Sequence, residues 1–503
     1  MAERFIFGFS REIEMNNKSI KLNFIMNALL TMSNLIFPLI TFPYVSRILL
    51  PIGTGKVAFA TSIVTYFSMF AQLGIPAYGI RACAQVRDDK EKLSRTVQEL
   101  LLISLVMTVF AYVLFGAGLC IIPRMRSDKS LFLIVSALIF FNSIGMEWLY
   151  KGLEEYTYIT VRSIVFKIVS LGAMFLLVTK QSDYVIYGGI SIFASSASNV
   201  LNFLNAHKYI SFRPIGNYNF RQHLKPIMVF FAMSCATTIY TNLDTVMLGF
   251  MKTDEDVGYY NAAVKIKGIL VSIITSLGTV LLPRASYYIE HGLKNEFEQI
   301  AKKAIKFVCV VSLPMMIYFI LYAREGIYFL SGSAYDGAIF PMQILMPTLF
   351  FIGLTNIIGI QVMVPLGKES WVLYSVTIGA VVDLIINALL IPFMASSGAA
   401  IGTLIAEIAV FIYQYSKMKG LLPEIFEYVQ WKILILAMLI SVVSSCFVKI
   451  LTIGVFSTLL LSAVIYFGIY GILLMIMGET LVKELLQQIV TETNNILKRH
   501  RRK

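Results

Sequence analysis

From residue 20 to residue 477 the chain is almost an unbroken series of apolar stretches, each about as long as a bilayer is thick. A helix that crosses roughly 30 Å of hydrocarbon needs about 20 mostly apolar residues. Fourteen stretches meet that length, at approximately 20–48, 56–80, 97–121, 130–150, 157–178, 184–206, 224–250, 256–283, 303–323, 338–365, 370–393, 395–416, 428–449 and 453–477. Backbone amides in lipid must be satisfied within the chain, which leaves helices as the spanning form. Composition agrees: 57% of residues are hydrophobic and 14% charged, against about 45–50% and about 25% in soluble proteins. A water-soluble enzyme and a disordered chain are both excluded. The expected fold class is an all-α polytopic membrane protein of about 14 transmembrane helices.

The net charge of +13 would suggest nucleic acid in a soluble chain. Topology explains it better, and no nucleic-acid partner is expected. Of the 42 Lys and Arg residues, 29 fall in the N-terminus, C-terminus and alternate connections, 9 in the other connections and 4 inside spans. Basic residues collect on the cytoplasmic side, so both termini are expected there. Residues 1–22 carry mixed charge and lack a short apolar run with a cleavage site, so no signal peptide is expected. The tail 479–503 ends in a basic run at 498–503, suited to anionic headgroups or to a solvated tail. Cys83, Cys120, Cys235, Cys309 and Cys446 have no metal-ligand spacing and read as small buried apolar residues.

A weak internal repeat divides the chain. Gly55 opens a segment ending at Arg81-Ala82, and Gly258 opens one ending at Arg284-Ala285; each carries a Leu-Gly pair, Leu73-Gly74 and Leu277-Gly278. Both segments enter from the same side, so the repeat is parallel, as in transporters built from two bundles. The expected organisation is a cytoplasmic segment 1–19, an N-lobe 20–215 (helices 1–6), a C-lobe 216–418 (helices 7–12), two further helices in 419–478, and a basic tail 479–503.

Polar residues inside a membrane are costly and usually face a bundle interior or a water-filled cavity. Span 1 carries Asn27, Thr31, Asn34, Pro38 and Thr41 on one face; span 7 carries Ser234, Thr237, Thr241 and Asp244. Either stripe suits a central cavity, or bridges to neighbouring helices. In span 8, Lys265 aligns with Asn261, Ser272 and Ser276, whereas Lys267 faces apolar positions. Lys265 is therefore assigned to the cavity, with Asp244 as a possible ion-pair partner. In span 5, Arg162 is expected to snorkel to the interface, and Lys167, deeper by about 7–8 Å, suits an anionic ligand. Glu147 reads as an interfacial anchor. Asp383 in span 11 and Glu407 in span 12, beyond Gly398-x-x-x-Gly402, are candidates with Asp244 for carrying a coupling ion, since burial favours the protonated carboxyl.

No nucleotide-binding, zinc-protease or hydrolase pattern is present, and no long loop exists to hold a catalytic site. The chain reads as a carrier, with no catalytic residue, no metal site and no cofactor expected.

The stretches LeuGlyIleProAlaTyrGlyIleArg (73–81), ValArgAspAspLysGluLysLeuSerArg (86–95), GluTrpLeuTyrLysGlyLeuGluGluTyrThrTyrIleThrValArg (147–162), LeuAspThrValMetLeuGlyPhe (243–250), ValGlyTyrTyrAsnAlaAlaValLysIle (257–266) and LeuLeuProArgAla (281–285) resemble the bacterial polysaccharide flippases (Wzx-type). These belong to the multidrug/oligosaccharidyl-lipid/polysaccharide exporter superfamily. The blocks occur in the family's order and cover most of the first 300 residues; the later helices match in number and spacing. The resemblance implies two six-helix lobes plus two helices, alternating access in the plasma membrane, and an undecaprenyl-diphosphate-linked oligosaccharide as substrate. On that reading Lys265 and Lys167 would hold the diphosphate, and Arg47 and Arg81 would guide it at the two membrane edges. Asn27, Thr31, Asn34, Thr237, Thr241 and Asn261 would meet sugar hydroxyls, and Tyr240, Tyr259 and Tyr260 would stack on sugar rings or serve, as such tyrosines more commonly do, as interfacial anchors. Implied partners are the lipid bilayer, a polysaccharide polymerase and glycosyltransferases, and a coupling proton or sodium ion. A multidrug/cation antiporter and a peptidoglycan lipid-precursor flippase of the same superfamily are the alternatives. A membrane glycan polymerase or ligase would need a long outer loop, which the chain lacks.

Overall fold

The computed structural model describes residues 2–420, 424–451 and 453–483. Among them helices dominate and no strand occurs. The chain forms two compact units, 1–258 and 259–503.

The first unit contains α1 (Ala2–Gln72), α2 (Ile75–Val86), α3 (Lys90–Ile121), α4 (Pro123–Ser127), α5 (Lys129–Val135), α6 (Ala137–Ile144), α7 (Glu147–Gly152), α8 (Tyr156–Leu177), α9 (Tyr184–Ile192), α10 (Asn199–Asn205), α11 (Arg221–Met251) and the first turn of α12 (Asp254–Glu290). At about 1.5 Å per residue, α1 would be roughly 100 Å long if straight. It is not: the backbone breaks at Leu50 (φ 58°, ψ 177°). Pro51 follows, and proline disfavours the helical region for the residue before it.

A second break separates α1 from α2. Leu73 (φ 48°) and Gly74 (φ 73°) both lie in left-handed backbone, and Pro76 sits in the first turn of α2. Gly74 is required twice over. It takes the left-handed conformation at no steric cost, and a Cβ there would lie 2.7 Å from the Phe230 carbonyl carbon of α11. The matching Leu277-Gly278 of the repeat lies inside the continuous α12. Thr279 and Val280 follow that pair, so no proline interrupts the helix there.

The unit's core runs between α2, α3 and α7. Cys83, Val97, Leu100, Leu149 and Tyr150 are fully buried, with Trp148 beside them. The Tyr150 hydroxyl donates to the Asn202 carbonyl (2.6 Å), and Asn202 Nδ2 donates to the Gly145 carbonyl (2.6 Å). α3 starts at Asp89, whose side chain accepts from the Glu91 and Lys92 amides at 3.1 Å. One carboxylate thus satisfies two of the amides a helix start leaves without partners.

The second unit holds the rest of α12, then α13 (Lys294–Leu321), α14 (Ala323–Leu330), α15 (Ile339–Leu345), α16 (Thr348–Thr355), α17 (Glu369–Met418), α18 (Trp431–Cys446) and α19 (Val455–Ile476). α17 breaks at Ala395 (φ 46°, ψ −125°) and turns back on itself. A Cβ on Gly398 would meet Leu390 and Ile391 backbone, at 2.7 and 2.9 Å, and one on Gly402 would meet Asn387 and Asp383. The small-residue pair Gly398 and Gly402 is the surface on which the two arms of α17 approach. Tyrosines tie α18 and α19 to α13. Tyr322 donates to the Ser445 carbonyl (2.6 Å), Tyr318 to Leu459 (2.9 Å), and Tyr470 to Val310 (2.9 Å).

Eleven helices among the described residues are long and apolar enough to cross a membrane, or twelve if the bent pair Ser333–Leu345 and Thr348–Met363 (46°) counts as one span. The broken α1 and α17 each cover two of the apolar stretches expected from sequence. The five cysteines are free; Cys83 and Cys309 are buried as expected, whereas Cys120 is exposed. The basic run 498–503 lies outside the described residues.

Candidate functional site

α8 carries two cations five residues apart, Arg162 and Lys167. That spacing advances the helix by about 7.5 Å and turns it by roughly 140°, so the two side chains leave in different directions. Lys167 reaches α1, where its Nζ donates to Ser33 Oγ at 2.8 Å and to Asn34 Oδ1 at 2.5 Å. Arg162 reaches α10, where its Nη1 donates to Ser198 Oγ at 2.7 Å and to Asn199 Oδ1 at 3.3 Å. Arg162 is 7% exposed and Lys167 8%. The snorkelling expected of Arg162 is therefore corrected. Ser198 and Asn199 offer oxygens inside the bundle, so the guanidinium turns inward instead of out to the interface.

Among the described residues the hydrogen-bond partners of both cations are neutral oxygens, and Arg162 Nε is buried with none. Glu147 is held by Lys151 at 2.8 Å, one turn along α7. Two buried positive charges thus sit in a membrane bundle where no carboxylate among the described residues hydrogen-bonds to either, and Glu147 acts on both only through space. Neutral dipoles reduce, but do not cancel, the cost of such charges.

A chain of amides leads away from Arg162. The guanidinium only donates, so it fixes Asn199 with its oxygen toward Arg162 and its nitrogen away. Asn199 Nδ2 then donates to Asn142 Oδ1 at 3.4 Å, and Asn142 Nδ2 to Ser68 Oγ at 3.3 Å. Gln72 Nε2 also donates to Ser68 Oγ, at 3.0 Å. Ser68 and Asn142 belong to the wall of a cavity of about 450 Å³. Thr65, Gln72, Ser195, Ser196, Ser234 and Thr238 complete its polar lining, and Met69, Pro76 and Leu138 its apolar part. Ser195 and Ser196 come from a π-helical turn, Phe193–Ala197. Such turns interrupt α-helices, frequently at functional sites.

The sequence-selected residues are distributed as follows. Asn27, Thr31, Asn34, Thr237 and Thr241 are exposed. Three of them bond back to their own helix: Thr31 to the Asn27 carbonyl (2.9 Å), Thr237 to Met233 (3.0 Å), and Thr241 to Thr237 (2.9 Å). Ser234, on the same helix, does line the cavity. Arg47 is exposed and donates to the Pro43 carbonyl (2.5 Å), and Arg81 is exposed. Asp244 is buried in the first unit. Lys265 and Asn261 are half-buried in the second unit, where Asp383 and Glu407 are buried. Asp383 packs against Gly402 beside Asn387. Tyr260 is buried, with its hydroxyl 2.9 Å from Thr403 Oγ1, and is not a stacking surface; Tyr259 packs on Gly337. The sequence reading missed Ser68, Asn142, Asn199 and the Ser195-Ser196 turn. The one signal available was the run SerIlePheAlaSerSerAlaSerAsn (191–199), unusually polar for a span. No group of three or more His, Cys, Asp or Glu that could hold a metal occurs among the described residues.

Comparison with known proteins gives the following. Residues 20–289 match the family described as polysaccharide biosynthesis protein, and residues 230–389 match the MatE family. A candidate O-antigen transporter of Escherichia coli (strain K12) is 25% identical over 69% of this chain and 84% of its own length. A protein of the same description from Shigella dysenteriae is 25% identical over 79% of this chain and 100% of its own. Among solved structures, the lipid II flippase MurJ in an inward closed conformation superposes with a TM-score of 0.71 at 18% identity, covering 92% of this chain and 99% of that one. An inward-facing multidrug resistance MATE family transporter of the MOP superfamily gives 0.61 at 14%, covering 79% and 98%. These two share the fold. With more than half of its length matched by one family, this multi-pass membrane protein belongs to the polysaccharide biosynthesis protein family, the Wzx-type flippases, and is a transporter rather than an enzyme.

Proposed function

We propose that the protein moves undecaprenyl-diphosphate-linked oligosaccharide units from the inner to the outer leaflet of a bacterial plasma membrane by alternating access, for surface polysaccharide synthesis. The observation that carries this reading is the pair of buried cations on α8, whose hydrogen-bond partners among the described residues are neutral oxygens. A diphosphate would bond negative charge directly to Arg162 and Lys167, which Glu147 reaches only through space, by charge-assisted hydrogen bonds. Lys265 is a third candidate in the second unit, and Arg47 and Arg81 are candidates for guiding the headgroup. The stripes Asn27, Thr31, Asn34, Thr237, Thr241 and Asn261 are candidate sugar contacts.

On this reading the chain makes fourteen crossings, with the broken α1 and α17 each counted as two and the bent pair Ser333–Leu345 and Thr348–Met363 counted as one. The lobes are 20–215 and 216–418, with 419–478 as two added helices and both termini cytoplasmic. Asp244, Asp383 and Glu407 are the candidates for coupling transport to a proton or sodium gradient. A polysaccharide polymerase and glycosyltransferases are candidate partners.

A second reading, a cation antiporter, draws on the MatE match over residues 230–389. An organic cation would be repelled by Arg162 and Lys167, which favours the anionic substrate. The test is translocation in proteoliposomes. A labelled undecaprenyl-diphosphate oligosaccharide is placed on one leaflet, and its exposure to an impermeant reagent is followed under proton, sodium and potential gradients. Protein-dependent transfer supports the proposal. No transfer under any gradient, together with gradient-driven uptake of a cationic dye, would replace it with the antiporter.

A further inference from the structure

Eight of the twelve residues that line the cavity of the first unit are polar, and none is charged. We infer that this cavity is a subsite for an uncharged sugar residue of the substrate, and that it selects against acidic sugars. The inference rests on the flippase reading and deepens it.

The lining decides what fits. Hydroxyls of Thr65, Ser68, Ser195, Ser196, Ser234 and Thr238 and amides of Gln72 and Asn142 both donate and accept. A ligand that pairs with them needs many groups that do the same, as sugar hydroxyls and acetamido groups do. Met69, Pro76 and Leu138 give an apolar wall for the C–H face of a pyranose. A carboxylate or a phosphate in this space would find no cation in the wall, and a charge taken out of water without a counter-charge is strongly disfavoured. An organic cation would find no acid. The volume of about 450 Å³ lies within the range of about 300–1,000 Å³ typical of small-molecule sites. It suits a sugar ring rather than a whole oligosaccharide.

Two details make the wall a built surface. Ser68 Oγ accepts from both Asn142 and Gln72, so its own proton is directed elsewhere. Ser68 is 2% exposed and Ser196 is 2% exposed, so the hydroxyls are held by the packing around them. The amide chain through Asn142 and Asn199 ends on Arg162, which connects the sugar subsite to a cation assigned to the diphosphate. The subsite therefore suits a sugar near the reducing end of the unit.

The test compares two undecaprenyl-diphosphate substrates in the same proteoliposomes, identical except that one carries an N-acetylhexosamine next to the diphosphate and the other a hexuronic acid. Wild type is expected to move the neutral substrate at least ten-fold faster. Ser196→Arg, which puts a cation into the wall, is expected to reverse that preference. Ser234→Trp, which fills the space from α11, is expected to slow the neutral substrate by a similar factor. Size-exclusion profile and thermal midpoint are recorded for each variant, and Ser234→Ala controls for loss of the hydroxyl alone. Equal rates for the two substrates, with Ser196→Arg and Ser234→Trp folded and unchanged in preference, would overturn the subsite and leave the flippase reading standing. Transfer of neither substrate would overturn both.

Discussion

Gly55 and Gly258 face each other across a contact with no room for a side chain. A Cβ on Gly55 would lie 2.8 Å from the Gly258 backbone nitrogen and would overlap the Asp254 carbonyl oxygen; a Cβ on Gly258 would lie 2.7 Å from the Pro51 carbonyl carbon. The two glycines that open the repeated segments thus mark a close approach of α12's first turn to α1. Arg124 reinforces it by pairing with Asp254 and donating to the Gly249 carbonyl at 3.1 Å.

Gly55→Ala and Gly258→Ala are each expected to destabilise the protein by about 1–3 kcal/mol, because backbone cannot yield as a side chain can. Gly116 and Gly172 have nothing within 4 Å of the added atom. Alanine there is expected to be neutral or to gain up to about 1 kcal/mol from helix propensity. Thermal midpoints of the four variants in detergent separate the two classes.

Glu99 and His223 form a buried contact of 2.7 Å between α3 and α11. Glu99 also accepts from the Asn219 amide (2.5 Å) and Gln222 Nε2 (3.1 Å), and the other His223 nitrogen meets the Tyr78 hydroxyl at 2.8 Å. Glu99→Ala removes one acceptor from three groups. It is expected to cost at least about 3 kcal/mol, since each orphaned buried group costs about 1–3 kcal/mol. A double-mutant cycle with His223→Ala is expected to be clearly non-additive; additive losses would mean the two residues act separately.

Asp89 lies between the spans, and its hydrogen bonds to the Lys92 amide and side chain hold its carboxyl below the usual range. A carboxyl depressed by folding stabilises above its unfolded pKa, about 3.9, and loses that contribution as pH falls through the folded value. Protection of the first-turn amides of α3 against hydrogen exchange is expected to fall only below about pH 4. In Asp89→Asn that pH step is expected to vanish, while protection above it is largely kept because asparagine also caps helices well.

Gly402→Val is expected to push Asp383 and Asn387 out of place, because a Cβ on Gly402 already comes within 3.0 Å of Asp383 Oδ1. If Asp383 couples transport to an ion, Asp383→Asn and Gly402→Val share one phenotype, loss of gradient dependence with the downhill rate retained. Loss of the downhill rate as well would place Asp383 in the structure rather than in coupling.

The membrane class and the apolar stretches were legible because hydropathy over a span is additive and does not depend on what the span touches. The breaks at Leu50 and Ala395 were partly legible. Pro51 marks the first, but nothing at Ala395 itself predicts a left-handed residue. Lys167 was selected by depth alone, since a cation well inside a span must have a reason to be there. Arg162 was misread, because its direction depends on Ser198 and Asn199 of another helix. The cavity was least legible: it is assembled from α1, α2, α6, the π turn and α11, and no single stretch announces it. Ser234 was selected by its stripe, yet its neighbour on the cavity is Thr238, not Thr237, because packing sets the helix rotation.

The most direct test of the central claim is the rate at which reconstituted Lys167→Gln moves an undecaprenyl-diphosphate oligosaccharide. Glutamine can still donate to Ser33 and Asn34, so the fold is expected to survive while the charge is lost. A fall of at least ten-fold, partly restored in Lys167→Arg, is the predicted result. A wild-type rate in a folded Lys167→Gln/Arg162→Gln protein would contradict the account, because the buried cations on α8 would then have no part in carrying the headgroup.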